Sequence, residues 1–308
     1  MPELTPEART MSRTVTAGID DSPESRAAAE WAAREAELRG LPLKIVYVQE
    51  PTPRMAARTP LFDLDSYRRW AERMAEEAAS GIRARHPDLD VSTAQLTGTV
   101  ADVLCEAAGD AELLVLGSRG LGRLGGFLVG SVSLAVVARA ERPVVLVRAG
   151  EETGDAQRTE PAGRPPGTGA VVLGLDVDEP AEPLLEFAFD AAARHGAPLR
   201  AVHVWPEPPT SFYRFYGDAE LYDDLQRGQA TLLTEVLRPW RQKYPDVEVI
   251  EASRCGSAAQ VLVDQSHDAC LVAVGRRIRT RSFGFHLGHV LHSALHHIAA
   301  PVAVVPHS

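Results

Sequence analysis

Positions of the same kind recur along this chain at nearly constant separation, and no other feature limits its folding more. Asp176 in LGLDVD stands 156 residues after Asp20 in AGIDDS, and Val204 in AVHV stands 156 after Val48 in IVYV. Gly256, Gly275, Gly288 and Pro301 follow Gly98, Gly117, Gly130 and Pro143 by 158. Such order over a full domain length marks a tandem duplication, with a two-residue insertion between Val204 and Gly256. One folding plan therefore serves residues 1–150 and 170–308. Residues 151–169, EETGDAQRTEPAGRPPGTG, have no apolar period and read as a linker. Fully extended, that segment could span roughly 60 Å.

The plan is legible in the first half. Val15 to Ile19 reads as a strand, stopped by Asp20-Asp21-Ser22-Pro23, where Ser22 suits a helix cap and Pro23 the first helical position. The helix carries an apolar stripe through Ala28, Trp31, Ala32 and Leu38, and Gly40 follows as a stop. Leu43 to Val48 is a second strand, and a Pro-rich loop leads to a helix from about Asp63 to Arg85, with Leu64, Tyr67, Met74 and Ala78 facing inward. Val91 to Leu96, Leu113 to Leu116 and Pro143 to Arg148 supply three more strands; helices begin near Val100 and Ser131. Alternating strands and helices predict an α/β fold: two tandem doubly wound parallel sheets whose ligands bind beyond the strands' carboxyl ends.

Between the fourth strand and its helix lie six glycines from Gly117 to Gly130, a loop that brings backbone N–H groups close to an anion. A Walker loop needs a Lys-Ser/Thr pair, but the only lysines are Lys44 and Lys243. Gly120, Gly122 and Gly125 match the dinucleotide fingerprint, yet they follow the wrong strand and lack the acidic residue at the end of the next one. The spacing that fits is Gly117-x2-Gly120-x9-Gly130-Ser131. A flexible turn is the plain alternative.

By that spacing the first half resembles the ATP-binding branch of the universal stress protein family, over Val15 to Val147. The resemblance implies Rossmann-like domains of the adenine nucleotide alpha hydrolase-like type, with ATP, with or without magnesium, as ligand. It would put Asp20 against the adenosine part, Val48 against adenine, and Gly18 where the first strand approaches the ligand closely. Gly117, Ser118, Arg119, Gly120, Leu121, Gly122 and Arg123 would surround ribose and phosphates, with Gly130, Ser131, Val132 and Ser133 at the helix start. Asp20 also suits a turn, Val48 a plain core position, and Ser131 a helix N-cap. The family commonly pairs domains through the last strand, so Val144 to Val147 and Val302 to Val305 could join within one chain, as an internal pseudo-dimer, or between chains, as a homodimer.

The second half departs from the motif. Its loop, GRRIRTRSFGFHLGH, puts Ile278 at the place of Gly120 and His289 at that of Ser131, and a β-branched residue obstructs close backbone approach. Arg276, Arg277, Arg279 and Arg281 could hold phosphate by side chains, stay solvated, or pair with acids of the other half. His289, His292 and His296 share a helix face, but with no Cys or acid nearby they converge poorly on one metal ion, and no metal is expected.

The formal net charge of −10 argues against nucleic acid or an anionic membrane as partner. Cys105, Cys255 and Cys270 form no C-x-x-C pair and read as reduced core residues. No run of apolar residues suggests a signal peptide or membrane span, so the expected compartment is the cytoplasm. No catalytic constellation has recognisable local context. The expected function is a nucleotide-dependent stress or regulatory module, with an interaction scaffold or a slow ATPase as alternatives.

Overall fold

Short apolar runs in this chain become strands covered on both faces. The computed structural model describes residues 13–50, 64–118, 129–149, 169–207, 219–278 and 287–308. In the first half these form β1 (Thr14–Ile19), α1 (Pro23–Arg39), β2 (Leu43–Gln49), α2 (Leu64–Arg85), β3 (Val91–Thr97), α3 (Val100–Gly109), β4 (Ala111–Ser118), α4 (Ser131–Arg139) and β5 (Val144–Arg148). The second half repeats the order with β6 (Ala170–Gly174), α5 (Glu182–His195), β7 (Leu199–Trp205), α6 (Ala219–Lys243), β8 (Val249–Cys255), α7 (Ala258–Asp264), β9 (Ala269–Arg277), α8 (His289–His297) and β10 (Val302–His307).

The strands lie in one ten-stranded sheet, ordered β3-β2-β1-β4-β5-β10-β9-β6-β7-β8. Pairing is parallel within each half, and the halves meet where β5 and β10 run antiparallel, Val302 opposite Leu146 and Val304 opposite Val144. The last strands therefore join within one chain. Each face carries one apolar core that crosses the seam: Val145, Val147, Ala303 and Val305 belong to one, Val144, Leu146, Val302 and Val304 to the other.

Side chains reinforce the seam on both faces. Glu35 of α1 is 1 % exposed; it accepts from Arg39 Nε at 2.7 Å and from His195 Nε2 of the other half at 2.9 Å. Arg39 also lies over the Phe187 ring of α5, 5.6 Å from its centroid. On the opposite face Arg148 donates to the carbonyls of Leu295 at 2.6 Å and Ile298 at 2.8 Å, at the end of α8. Arg276 answers from the second half, donating to the carbonyls of Ala138, at 3.0 Å, and Ala140, at the end of α4. A guanidinium suits a helix C-terminus, where unpaired carbonyls gather negative charge. Burial pulls Arg148 down to about 10. Arg276 is likewise lowered by burial.

Two expectations need correction. Leu38 was expected on the inward stripe of α1 but is 43 % exposed, because the last turn buries Arg39 against the other half instead. The three cysteines form no disulfide and are only half-buried, Cys105 and Cys270 packing against the edges of the two cores.

Burial alone pushes the Glu35 carboxyl up; the hydrogen bond from His195 and the charge of Arg39 outweigh it and hold the group below its ordinary value of 4.5. A depressed carboxylate contributes stability above its unfolded value and loses it as pH falls through the folded one. Glu35→Ala, which strands Arg39 and His195, should cost about 3 kcal/mol in a denaturant melt at neutral pH. That difference from wild type should shrink as the pH is lowered below 4.5, and a pH-independent difference would contradict the assignment.

Candidate functional site

The strand order reverses beside β1, whose neighbours are β2 and β4, and a crevice opens at the carboxyl ends there. It holds a cavity of about 330 Å³, lined among the expected residues by Gly18, Asp20, Val48, Gly117, Gly130, Ser131, Val132 and Ser133. Ser118 is not in the lining; it sits 2 % exposed at the end of β4 with its hydroxyl unpartnered. Arg119, Gly120, Leu121, Gly122 and Arg123 lie outside the described residues. Sequence reasoning missed Ser25 and Val100 as lining residues, although each stands in the first turn of a helix following a strand.

Asp20, just past the end of β1, forms a turn, one of its expected capacities, and lines the cavity. Its Oδ1 accepts the Ser22 N–H at 3.1 Å and the Ser22 hydroxyl at 2.5 Å, while Ser22 Oγ accepts from the Ser25 N–H and caps α1. Asp21, between them, has φ 68°, a left-handed conformation uncommon outside glycine. The turn thereby aims a carboxylate and a hydroxyl at the cavity while starting α1 behind it.

On the facing side α4 begins at the cavity. Gly130, not Ser131, takes the N-cap position, so Ser131 is the first helical residue and its expected capping role is corrected. No side chain caps α4 and no acidic residue lies in its first turn. The first amides of such a helix have no acceptor inside it and carry its positive end, a receptive place for an anion. Ser133 Oγ donates to the Gly117 carbonyl at 2.9 Å, fixing the helix start to the end of β4.

The glycines are crowded by protein. A Cβ on Gly117 would lie 2.6 Å from the Glu24 carbonyl carbon and 2.7 Å from Ser25 N, so only glycine lets β4 pass this close to the first turn of α1. At Gly18 a Cβ would meet Leu116 Cδ2 at 2.6 Å and Leu104 Cδ2 at 3.1 Å, side chains that form the cavity floor.

A sequence profile described as the Universal stress protein family matches residues 11–148 and again 168–306. The chain belongs to the universal stress protein family. It is 33 % identical over 311 residues to a universal stress protein of Mycobacterium tuberculosis, covering 96 % of this chain and 97 % of that one. It is 32 % identical over 302 residues to one of Mycolicibacterium smegmatis, covering 94 % and 96 %. Among solved structures, the crystal structure of a universal stress protein from Archaeoglobus fulgidus aligns with TM-score 0.67 at 19 % identity, covering 96 % of this chain and 99 % of that one, a likeness of fold.

The second universal stress protein repeat has a cavity in the corresponding place, about 550 Å³, lined by Asp176, Val204 and Gly275. Its basic loop residues are committed to protein: Arg276 to the α4 carbonyls and Arg277 to Glu179 at 2.5 Å. Arg276 thus meets the other half through carbonyls rather than through the acids considered from sequence. Arg279 and Arg281 lie outside the described residues. On α8 the rings of His292 and His296 lie 4.3 Å apart, and among the described residues no group of three His, Cys, Asp or Glu side chains gathers for a metal. No helix among the described residues is long and apolar enough to cross a membrane.

Gly117→Ala should lower stability by about 1–3 kcal/mol in thermal or denaturant melts, because its Cβ meets backbone that cannot rotate away. A melt equal to wild type would show that β4 and α1 separate freely.

Proposed function

We propose that this universal stress protein binds one ATP per chain, in the first repeat, and acts in the cytoplasm as a nucleotide-dependent regulatory module rather than as a catalyst. The observation that carries this reading is the convergence on one cavity of Asp20 from β1, Val48 from β2 and the uncapped start of α4 with Ser131 and Ser133. The adenosine part would lie by Asp20 and Val48. The phosphates would lie against the first amides of α4, with Gly117, Gly120, Gly122 and Gly130 giving the backbone room and Ser118, Arg119, Leu121, Arg123 and Val132 completing the loop. A cavity near 330 Å³ is at the small end of the size usual for ligand pockets.

The donors fit the ligand better than the metal. Asp20 is the one carboxylate among the described lining residues, and its Oδ1 is engaged by Ser22, so magnesium would be held chiefly by the phosphates. The chain's two lysines, Lys44 and Lys243, do not line the cavity, which favours binding over phosphoryl transfer.

Counting nucleotide released from the purified, denatured protein, together with calorimetry, tests this. About one ATP per chain is expected. Ser131→Glu places a carboxylate where the phosphates would sit, at a helix position that favours acids for stability. It should weaken ATP by about tenfold or more through charge repulsion while leaving the melting temperature unchanged. No ATP bound by either method would leave the interaction scaffold as the better reading, and turnover well above background would favour a slow ATPase.

A further inference from the structure

The second cavity keeps one part of the first and discards another. Gly174, Asp176 and Val204 stand where Gly18, Asp20 and Val48 stand in the first half, and all three line the cavity. Asp176 Oδ1 accepts the Asp178 N–H at 3.0 Å, as Asp20 Oδ1 accepts that of Ser22. By contrast, the hydroxyls of Ser22, Ser25, Ser131 and Ser133 have as counterparts Asp178, Ala181, His289 and Leu291.

Part of the backbone that would receive phosphate is spent as well, although the start of α8, like that of α4, is capped by no side chain. The Ile278 N–H, at the position of Gly120, donates to the His307 carbonyl at 2.7 Å and so prolongs the pairing of β9 with β10. The His307 imidazole covers Gly275, its Nε2 only 2.9 Å from where a Cβ would lie. Arg277 is paired with Glu179, leaving Asp176 and Asp178 as charge in the lining with, among the described residues, no basic residue beyond the histidines to offset it. Carboxylates in a partly enclosed site repel a polyphosphate.

A second observation points to a ligand. Trp205, one residue past Val204, lines the cavity at 5 % exposure, and its indole N–H has no acceptor among the described residues. A buried donor left unpaired is costly, and a ring nitrogen or carbonyl of a bound molecule would relieve it. Nearby, His203 is fixed by Gln229 at 2.9 Å, and Trp205 packs against Tyr222 with ring centroids 5.6 Å apart, giving the site planar walls.

We infer that the cavity between β6 and β9 takes an unphosphorylated purine nucleoside, held at the positions that keep their identity and by the Trp205 N–H, while nucleotide phosphates are rejected. This rests on reading Asp20 and Val48 as the adenosine end of the first site. Calorimetry on the full chain tests it, with adenosine titrated into protein already saturated with ATP and ATP titrated alone. One adenosine per chain should bind beside one ATP without competition. Trp205→Phe, which keeps a ring and removes the donor, should weaken adenosine by about tenfold and leave ATP unchanged. Two ATP per chain, adenosine only in competition with ATP, or ATP with no added adenosine site would each overturn this inference alone. One adenosine held in the second cavity, sensitive to Trp205→Phe, with no ATP bound, would instead overturn the first-half reading. Neither ligand binding would overturn both.

Discussion

Everything else in the molecule depends on the antiparallel pairing of β5 with β10. Each is an apolar strand that would otherwise end its half-sheet as an unpaired edge, the arrangement that invites association with other chains. Pairing them inside one chain removes both edges and lets each apolar core run through from one half to the other. The edges that remain are β3 and β8, and these are a different kind of strand. Ser92 and Thr93 are exposed on β3 and Arg254 on β8, where Glu251 is half-buried and Ile250 is exposed as well. The chain thus spends its apolar edges on its own seam and keeps the polar ones for solvent.

The seam also bears on the candidate site, because α4 is held at both ends by different halves. Its first turn meets the cavity and is tied to β4 through Ser133 and Gly117. Its last carbonyls are held by Arg276 from β9, across the seam. The same arrangement runs the other way for α8, whose Val290 and Leu291 line the second cavity and whose end is held by Arg148. A helix of nine residues is about 14 Å long and moves as one body, so the amides offered at one end are positioned by contacts at the other. The second half thus braces a helix of the first cavity, although every described lining residue comes from the first half.

Strand positions, helix starts and the duplication were legible because they rest on local, periodic signals: apolar runs, Ser22-Pro23 at a helix start, fixed offsets between glycines. The convergence of Asp20, Val48 and Gly130 followed from topology, since each lies just past or just before a strand or helix end on one side of a parallel sheet. Guanidinium contacts to backbone carbonyls carry no such signature, because any helix end supplies the acceptor; the destinations of Arg148 and Arg276 therefore could not be read. The choice between joining within and between chains was likewise open, since the same apolar strand satisfies either partner. Trp205 could have been found: it directly follows Val204, the counterpart of a position already singled out.

The glycines separate what the fold requires from what a ligand would require. Gly40 and Gly196, 156 residues apart, both end a helix at left-handed φ, 62° and 58°, and Gly98 and Gly256 also keep positive φ. A side chain at Gly40 or Gly196 would meet nothing within 4 Å, so these positions are held to glycine by backbone conformation alone. Gly117 and Gly275 are held for another reason, contact with α1 in one half and with His307 in the other. Gly120 lies outside the described residues, in the loop read as phosphate binding, and its counterpart is Ile278, whose amide pairs with β10. Both kinds of scaffold glycine outlasted the duplication. Gly120, Gly122 and Gly125, by contrast, are replaced by Ile278, Thr280 and Phe283, all within the loop read as phosphate binding.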